Sequence, residues 1–195
     1  MQFRGWIARV SALGAALGLA ACMPQIESAE PLLDAAPHAL RPGLWALLKD
    51  DCAAPEHGRI FDWPSCAMPV RVRPGELTII SPVPLRARLV LGGTAPLVVQ
   101  ARISEEEVID PSAPDSSAFT YYSFVPVGGE PLASGEVRIL RCPADDEMPI
   151  EGITLDEEGS DARCVAATAQ AVREAARRSL IKRPDWRAVW ITELQ

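Results

Sequence analysis

The sequence predicts an α+β chain that is mainly β. It calls for an antiparallel sheet or open barrel of about seven strands, one C-terminal helix over about 168–182 and a final strand over about 186–192. Three observations predict this. Several segments alternate apolar and polar residues with period two, and glycine or proline turns bound them. Over residues 168–182 the period shifts to that of a helix. Beyond Pro184 the alternation returns.

Taken in order, Leu44–Lys49 is a short apolar run suited to a first strand, and Asp50–Cys66 is an irregular loop. Met68–Arg73 sets Val70 and Val72 against Arg71 and Arg73, and Pro74-Gly75-Glu76 turns the chain. Leu77–Ser81 is apolar and β-branched. Leu85–Leu91 places Leu85, Ala87, Leu89 and Leu91 opposite Arg86 and Arg88. Gly92-Gly93 is a hairpin signal before a strand over Pro96–Ile103. The acidic, proline-bearing Ser104–Ser117 reads as loop. Phe119–Val127 carries large groups on both faces, which predicts a central strand, and Gly128-Gly129 turns it. Glu136–Arg141 is a further strand. In the helix, Val165, Ala169, Val172, Ala176 and Leu180 share a face, Thr168 is a candidate N-cap, and Glu174 to Arg178 is an i,i+4 pair in the favourable orientation. In the last strand, Trp186, Ala188 and Trp190 point one way.

Composition narrows the function classes. The 195 residues are 48% hydrophobic and 23% charged, which argues for one globular domain and against disorder. A formal charge of −7 with no basic block excludes nucleic acid as the expected partner. Seventeen arginines against two lysines, with no asparagine, fit a GC-rich coding bias, so each arginine carries less weight as evidence of anion recognition.

Residues 1–22 read as an export signal. Arg4 and Arg9 supply a positive start, and a small apolar stretch too short to span a bilayer runs from Val10 to Ala21. The closing Leu19-Ala20-Ala21-Cys22 resembles the lipobox of bacterial lipoproteins. The resemblance implies a diacylglyceryl group on the Cys22 thiol, cleavage before Cys22 and acylation of the new amine. Residues 1–21 are then a signal peptide, 22–42 a lipidated cysteine with a proline-containing tether, and 43–195 one globular domain. Leu32, Leu33 and Leu40 offer the alternative that the tether packs on the body. With Met23-Pro24 after the cysteine and no aspartate, the family pattern implies the outer membrane, periplasmic face. The partner is the membrane itself through the lipid, with an envelope protein, lipid or peptidoglycan as a further candidate. The mature charge is −9, so the acyl chains rather than the protein surface are expected to do the holding.

Four cysteines remain, and an even number in an exported chain implies disulfides. Of three pairings, Cys52–Cys66 with Cys142–Cys164 is preferred because both loops are short and rich in turn residues. Zinc is disfavoured, since no C-x-x-C pair occurs. No cofactor or metal is expected.

Gly43-Leu44-Trp45 has the form G-x-W, which is similar to the first strand of lipocalins and of small periplasmic protease inhibitors with a barrel fold. The lipocalin likeness also covers the late helix and last strand, and implies Trp45 at the base of a barrel that carries an apolar ligand. The plainer alternative is a tryptophan closing a small sheet. Arg71, Arg73, Arg86 and Arg88 form a candidate anion-binding face if their strands share a sheet. The alternative is a solvated face balanced by Glu76 and Glu136. Arg173, Arg177, Arg178, Lys182 and Arg183 gather at the helix C-terminus, where cations complement the macrodipole or form a docking patch. Ser179-x-x-Lys182 matches S-x-x-K, but its serine ends a helix where penicillin-recognising enzymes start one. His57, beside Glu56, is the one candidate base for a hydrolase, and no nucleophile is singled out for it. The acidic clusters at 105–107, 145–147 and 156–158 lack the calcium-loop pattern. The sequence therefore points to a non-enzymatic, lipid-anchored binding or envelope-assembly module, with a lipocalin-like carrier and a His57 hydrolase as alternatives.

Overall fold

Strands that bury one face each must pair so that their apolar faces converge, and a closed barrel is the arrangement that leaves no edge. In the computed structural model, which describes residues 24–34, 39–56, 59–82, 84–103, 118–129, 132–156 and 162–193, the alternating segments take that course. Eight strands close a barrel: β2 (Gly43–Leu48), β3 (Ala67–Arg73), β4 (Glu76–Ile79), β5 (Leu85–Gly92), β6 (Leu97–Ile103), β7 (Phe119–Pro126), β8 (Ser134–Ile139) and β11 (Trp186–Thr192). Every neighbouring pair is antiparallel, and β11 closes the ring against β2. The sheet is thus closed rather than open, and it has more than the seven strands expected.

Three short strands extend it. β1 (Ile26–Ser28) pairs with the start of β7, beyond the point where β8 leaves that edge. β10 (Arg163–Ala166) runs parallel to β1, and β9 (Ile153–Asp156) pairs with β10. Within the tether expected over 22–42, residues 24–34 are packed on the body. Ile26 is fully buried, Leu33 nearly so, and Gln100 on β6 accepts the amides of Leu32 and Leu33 at 2.9 and 3.0 Å. The packed alternative holds for residues 24–34, because burying these side chains and amides outweighs the freedom that prolines 24 and 31 suggested.

The helix α1 (Ala169–Ser179) lies over the outer face of β6 and β7. Thr168 caps it, its hydroxyl accepting the Ala171 amide at 3.1 Å. Ala171, Val172, Ala175 and Ala176 pack with Val98, Tyr121 and Leu140 into a core outside the barrel. The helix is shorter than expected and turned on its axis: Leu180 lies past its end and is 43% exposed, while Ala171 and Ala175 are buried. Small alanines let the helix sit close on the sheet. The predicted centrality of β7 holds, since Tyr122 and Phe124 face the barrel interior while Tyr121 and Ser123 lie beneath α1 and the N-terminal segment. The expected strand over 136–141 lies two residues earlier.

Both preferred disulfides are present, Cys52–Cys66 and Cys142–Cys164. The first closes the long β2–β3 loop against Ala46, Leu48 and Ala67 on the outer barrel face. The second ties the end of β8 to β10.

Candidate functional site

Register fixes the width of the barrel. From Leu91 it runs through Val99, Tyr122 and Ile139 and, extended over β11, reaches the β2 line near Asp51. In the other direction, extended over β4 and β3, it reaches the β2 line near Ala39. Closure therefore staggers the strands by about 12 residues, Ala39 against Asp51, which for eight strands means a tilt of about 45°. Tilted strands each occupy more circumference, so opposite walls stand about 17 Å apart, against about 10 Å for two sheets in face-to-face contact. A barrel of this width is filled where large side chains meet across it and can hold a small ligand where they do not.

One end is filled. Trp45 is 2% exposed at the heart of the base, its indole N–H donating to the Arg41 carbonyl at 2.8 Å. Val72, Leu97, Phe124, Leu132 and Ala188 are buried around it. Trp190 faces Trp45 across the β2–β11 pair and donates to the Pro42 carbonyl at 3.0 Å, with the Arg41 guanidinium 3.6 Å over its ring. Gly43, at φ +144°, permits this closure, because a Cβ there would lie 2.4 Å from the Thr192 carbonyl oxygen. Trp45 thus stands at the base of a closed barrel.

The other end differs. Register keeps Ile79, Leu85, Leu89, Tyr122, Ile139 and Trp186 on the inward face shared with Trp45 and Val70. Yet solvent reaches each of them in part, and Leu85 is 37% exposed. The wall here is apolar apart from the Tyr122 hydroxyl and Thr120. A water-accessible, apolar, concave wall is the usual character of a small-molecule site. At this end the β2–β3 loop carries Phe61 fully exposed.

The arginines do come together. Arg71 and Arg86 flank Thr78, and Arg73 and Arg88 flank Glu76, all on the outer face of β3, β4 and β5. The four arginines are exposed. Alternate strands lie about 10 Å apart, so the four stand at the corners of one patch, with Glu76 between Arg73 and Arg88 and Thr78 between Arg71 and Arg86. The other acid expected to balance them, Glu136, instead pairs with Arg138 at 2.6 Å.

Under α1 the polar groups are structural. Ser179 donates to the Ala176 carbonyl and lies 2.8 Å from the Ser123 hydroxyl, both buried, so it is no exposed nucleophile; Lys182 pairs with Glu147 at 2.9 Å. That lysine holds the Glu147 carboxyl below the ordinary range, chiefly by hydrogen bonding to it. Burial pushes the Tyr121 phenol up, against the opposing hydrogen bonds from the Ser28 side chain and the Leu32 backbone. Arg177 and Arg178 both pair with Glu174, and Arg141 with Asp185.

Among the described residues no cluster of histidine, cysteine or acidic groups is placed to hold a metal, and no helix is long and apolar enough to cross a membrane. Cys22, His38, His57 and the acidic residues 105–107 and 157–158 lie outside the described residues. No family model matches the chain, and no curated protein or solved structure matches it either.

Sequence reasoning found Trp45 and the arginines but not the open apolar end. Alternation alone assigns Ile79, Leu85 and Trp186 to an inner face. Only the closed register shows that this face lines the inside of a staggered eight-stranded barrel.

Proposed function

We propose that this is a lipid-anchored envelope protein of the outer membrane, facing the periplasm, which is not an enzyme and whose barrel takes an apolar ligand. The observation that carries the ligand reading is the half-exposed apolar inner wall at one end of a staggered eight-stranded barrel whose other end is plugged by Trp45. A carrier needs a wall of this kind: apolar lining drives transfer out of water at about 25 cal/mol per Å² buried. The resemblance of Leu19-Ala20-Ala21-Cys22 to a lipobox supports this reading, since a lipid anchor would set such a carrier beside a source of apolar molecules.

The test uses the chain from Met23 exported by an ordinary signal peptide, with a fluorescent fatty-acid analogue as probe. Saturable one-to-one binding is expected. Ala87→Trp, which adds an indole at a buried inward position paired with Leu77 and Ile103, should abolish binding while the variant still melts cooperatively. Arg86→Gln, on the outer face, should leave it intact. Equal probe response from the native chain and Ala87→Trp would sink the reading.

A second reading is favoured by the arginine patch: the outer face of β3–β5 binds the phosphate or carboxylate of an envelope component, as an assembly module would. Replacing Arg71, Arg73, Arg86 and Arg88 with glutamine should then cut co-sedimentation with isolated peptidoglycan or anionic lipid without touching probe binding. Unchanged co-sedimentation would remove it.

A further inference from the structure

Pro24 is fixed to the body. Its carbonyl accepts the Cys142 amide at 3.1 Å, the next residue bridges to Arg141, and Ile26 is fully buried. Cys22 stands two positions earlier. On the lipoprotein reading proposed above, about 7 Å of backbone at most joins the acylated residue to a rigid barrel. A tether so short keeps the surface around Pro24 within reach of the headgroups, and the composition of that surface decides which side of the body turns to them.

That surface has the composition for such a meeting. Cys142 leads into Pro143, which lines a shallow pocket together with Glu147, Arg178 and Lys182. The Glu147–Lys182 pair, at 2.9 Å, and the bond from the Arg178 guanidinium to the Met148 carbonyl hold the loop after β8 against the end of α1. Around this seam Met148 is 76% exposed, Ile181 88% and Leu180 43%. Three large apolar tips beside arginine and lysine suit the interfacial layer, where apolar groups enter the acyl boundary and long cations reach phosphates. Asp145 and Asp146 adjoin the seam, and the mature chain is acidic. Net charge therefore does not supply the attraction; the anchor and the apolar tips do.

We propose that the face formed by Met148, Leu180 and Ile181 around the Glu147–Lys182 pair rests on the phospholipid surface that holds the Cys22 lipid. The proposal depends on the lipidation of Cys22. The anchored protein sits in one fixed orientation, not at the end of a flexible tether.

The chain offers its own probe, since Lys49 and Lys182 are its two lysines and the resemblance implies a blocked amine at Cys22. Lys182 lies in the proposed contact, and Lys49 is exposed at the end of β2. The acylated protein is reconstituted in vesicles of phosphatidylethanolamine and phosphatidylglycerol and treated with a sulfonated, amine-acylating reagent. Mass spectrometry then reads the labelling ratio of Lys182 to Lys49. The same is done with the acylated Met148→Ser/Ile181→Ser variant, both positions being exposed. The ratio is expected to be several-fold lower in the native protein than in the variant. Equal ratios with Cys22 acylated would overturn the docking face alone. An N-terminal peptide without acyl mass on Cys22 would overturn the lipoprotein reading, and the docking face with it.

Discussion

Single residues decide where this barrel closes and what crosses it. Gly43 is one: with φ at +144° and the Thr192 carbonyl in the place of its missing Cβ, no larger residue fits without moving the β2–β11 seam. Gly43→Ala should cost about 2 kcal/mol or more, a fall of about 4–8 °C in the melting temperature at this size. A melt unchanged by the substitution would show that the base of the barrel is not held as described. Gln100 is another. Its buried side-chain oxygen accepts two backbone amides from the N-terminal segment. Gln100→Leu strands both donors, about 1–3 kcal/mol each if they stay dry. Hydrogen exchange should show the amides of Leu32 and Leu33 opening well before those of β6. Tyr121 links the same segment to the sheet through Ser28 at 2.6 Å. Its phenol titrates higher folded than unfolded, so the folded state binds the proton more tightly above about pH 10. The stability from this group is fully present below that pH and is lost as pH rises through the folded value. Denaturant midpoints should therefore fall as pH rises above about 10 in the native chain, and less steeply in Tyr121→Phe.

At the scale of elements, the two disulfides secure what hydrogen bonding secures poorly. The Cys52–Cys66 bridge closes a loop of sequence separation 14, and Cys142–Cys164 one of 22. In the chain-entropy account each is worth roughly 3 kcal/mol. Reduction should thus lower the melting temperature by several degrees for each bridge, and an identical melt with and without reductant would refute the account. The Cys142–Cys164 bridge matters for more than stability. It fixes β10, the parallel partner of β1, which holds the N-terminal segment against the body. The helix was legible because Thr168, the alanine-rich sequence and the Glu174–Arg178 pair act locally. Its rotation was not, since which of several alanines turns inward depends on the sheet beneath. β1, β9 and β10 are three or four residues long, too few for alternation to register. Their pairing partners lie far away in sequence.

For the whole molecule, the chain by itself determined the alternation that sorts inner from outer faces, the order of strands, helix and last strand, and both disulfide pairs. Local chemistry fixes each of these: a period of two, a capping hydroxyl, short cysteine loops rich in turns. It also placed Trp45 on the first barrel strand and set Arg71, Arg73, Arg86 and Arg88 opposite the apolar face. The tertiary structure alone decided that the sheet closes, and with what stagger. It alone decided that residues 24–34 belong to the body and not to a tether. These are sums over the register of eight strand pairs and over contacts as distant as Leu33 with Gln100. No window of sequence contains such a sum, because each pairing is chosen by the faces left unburied after all the others have formed.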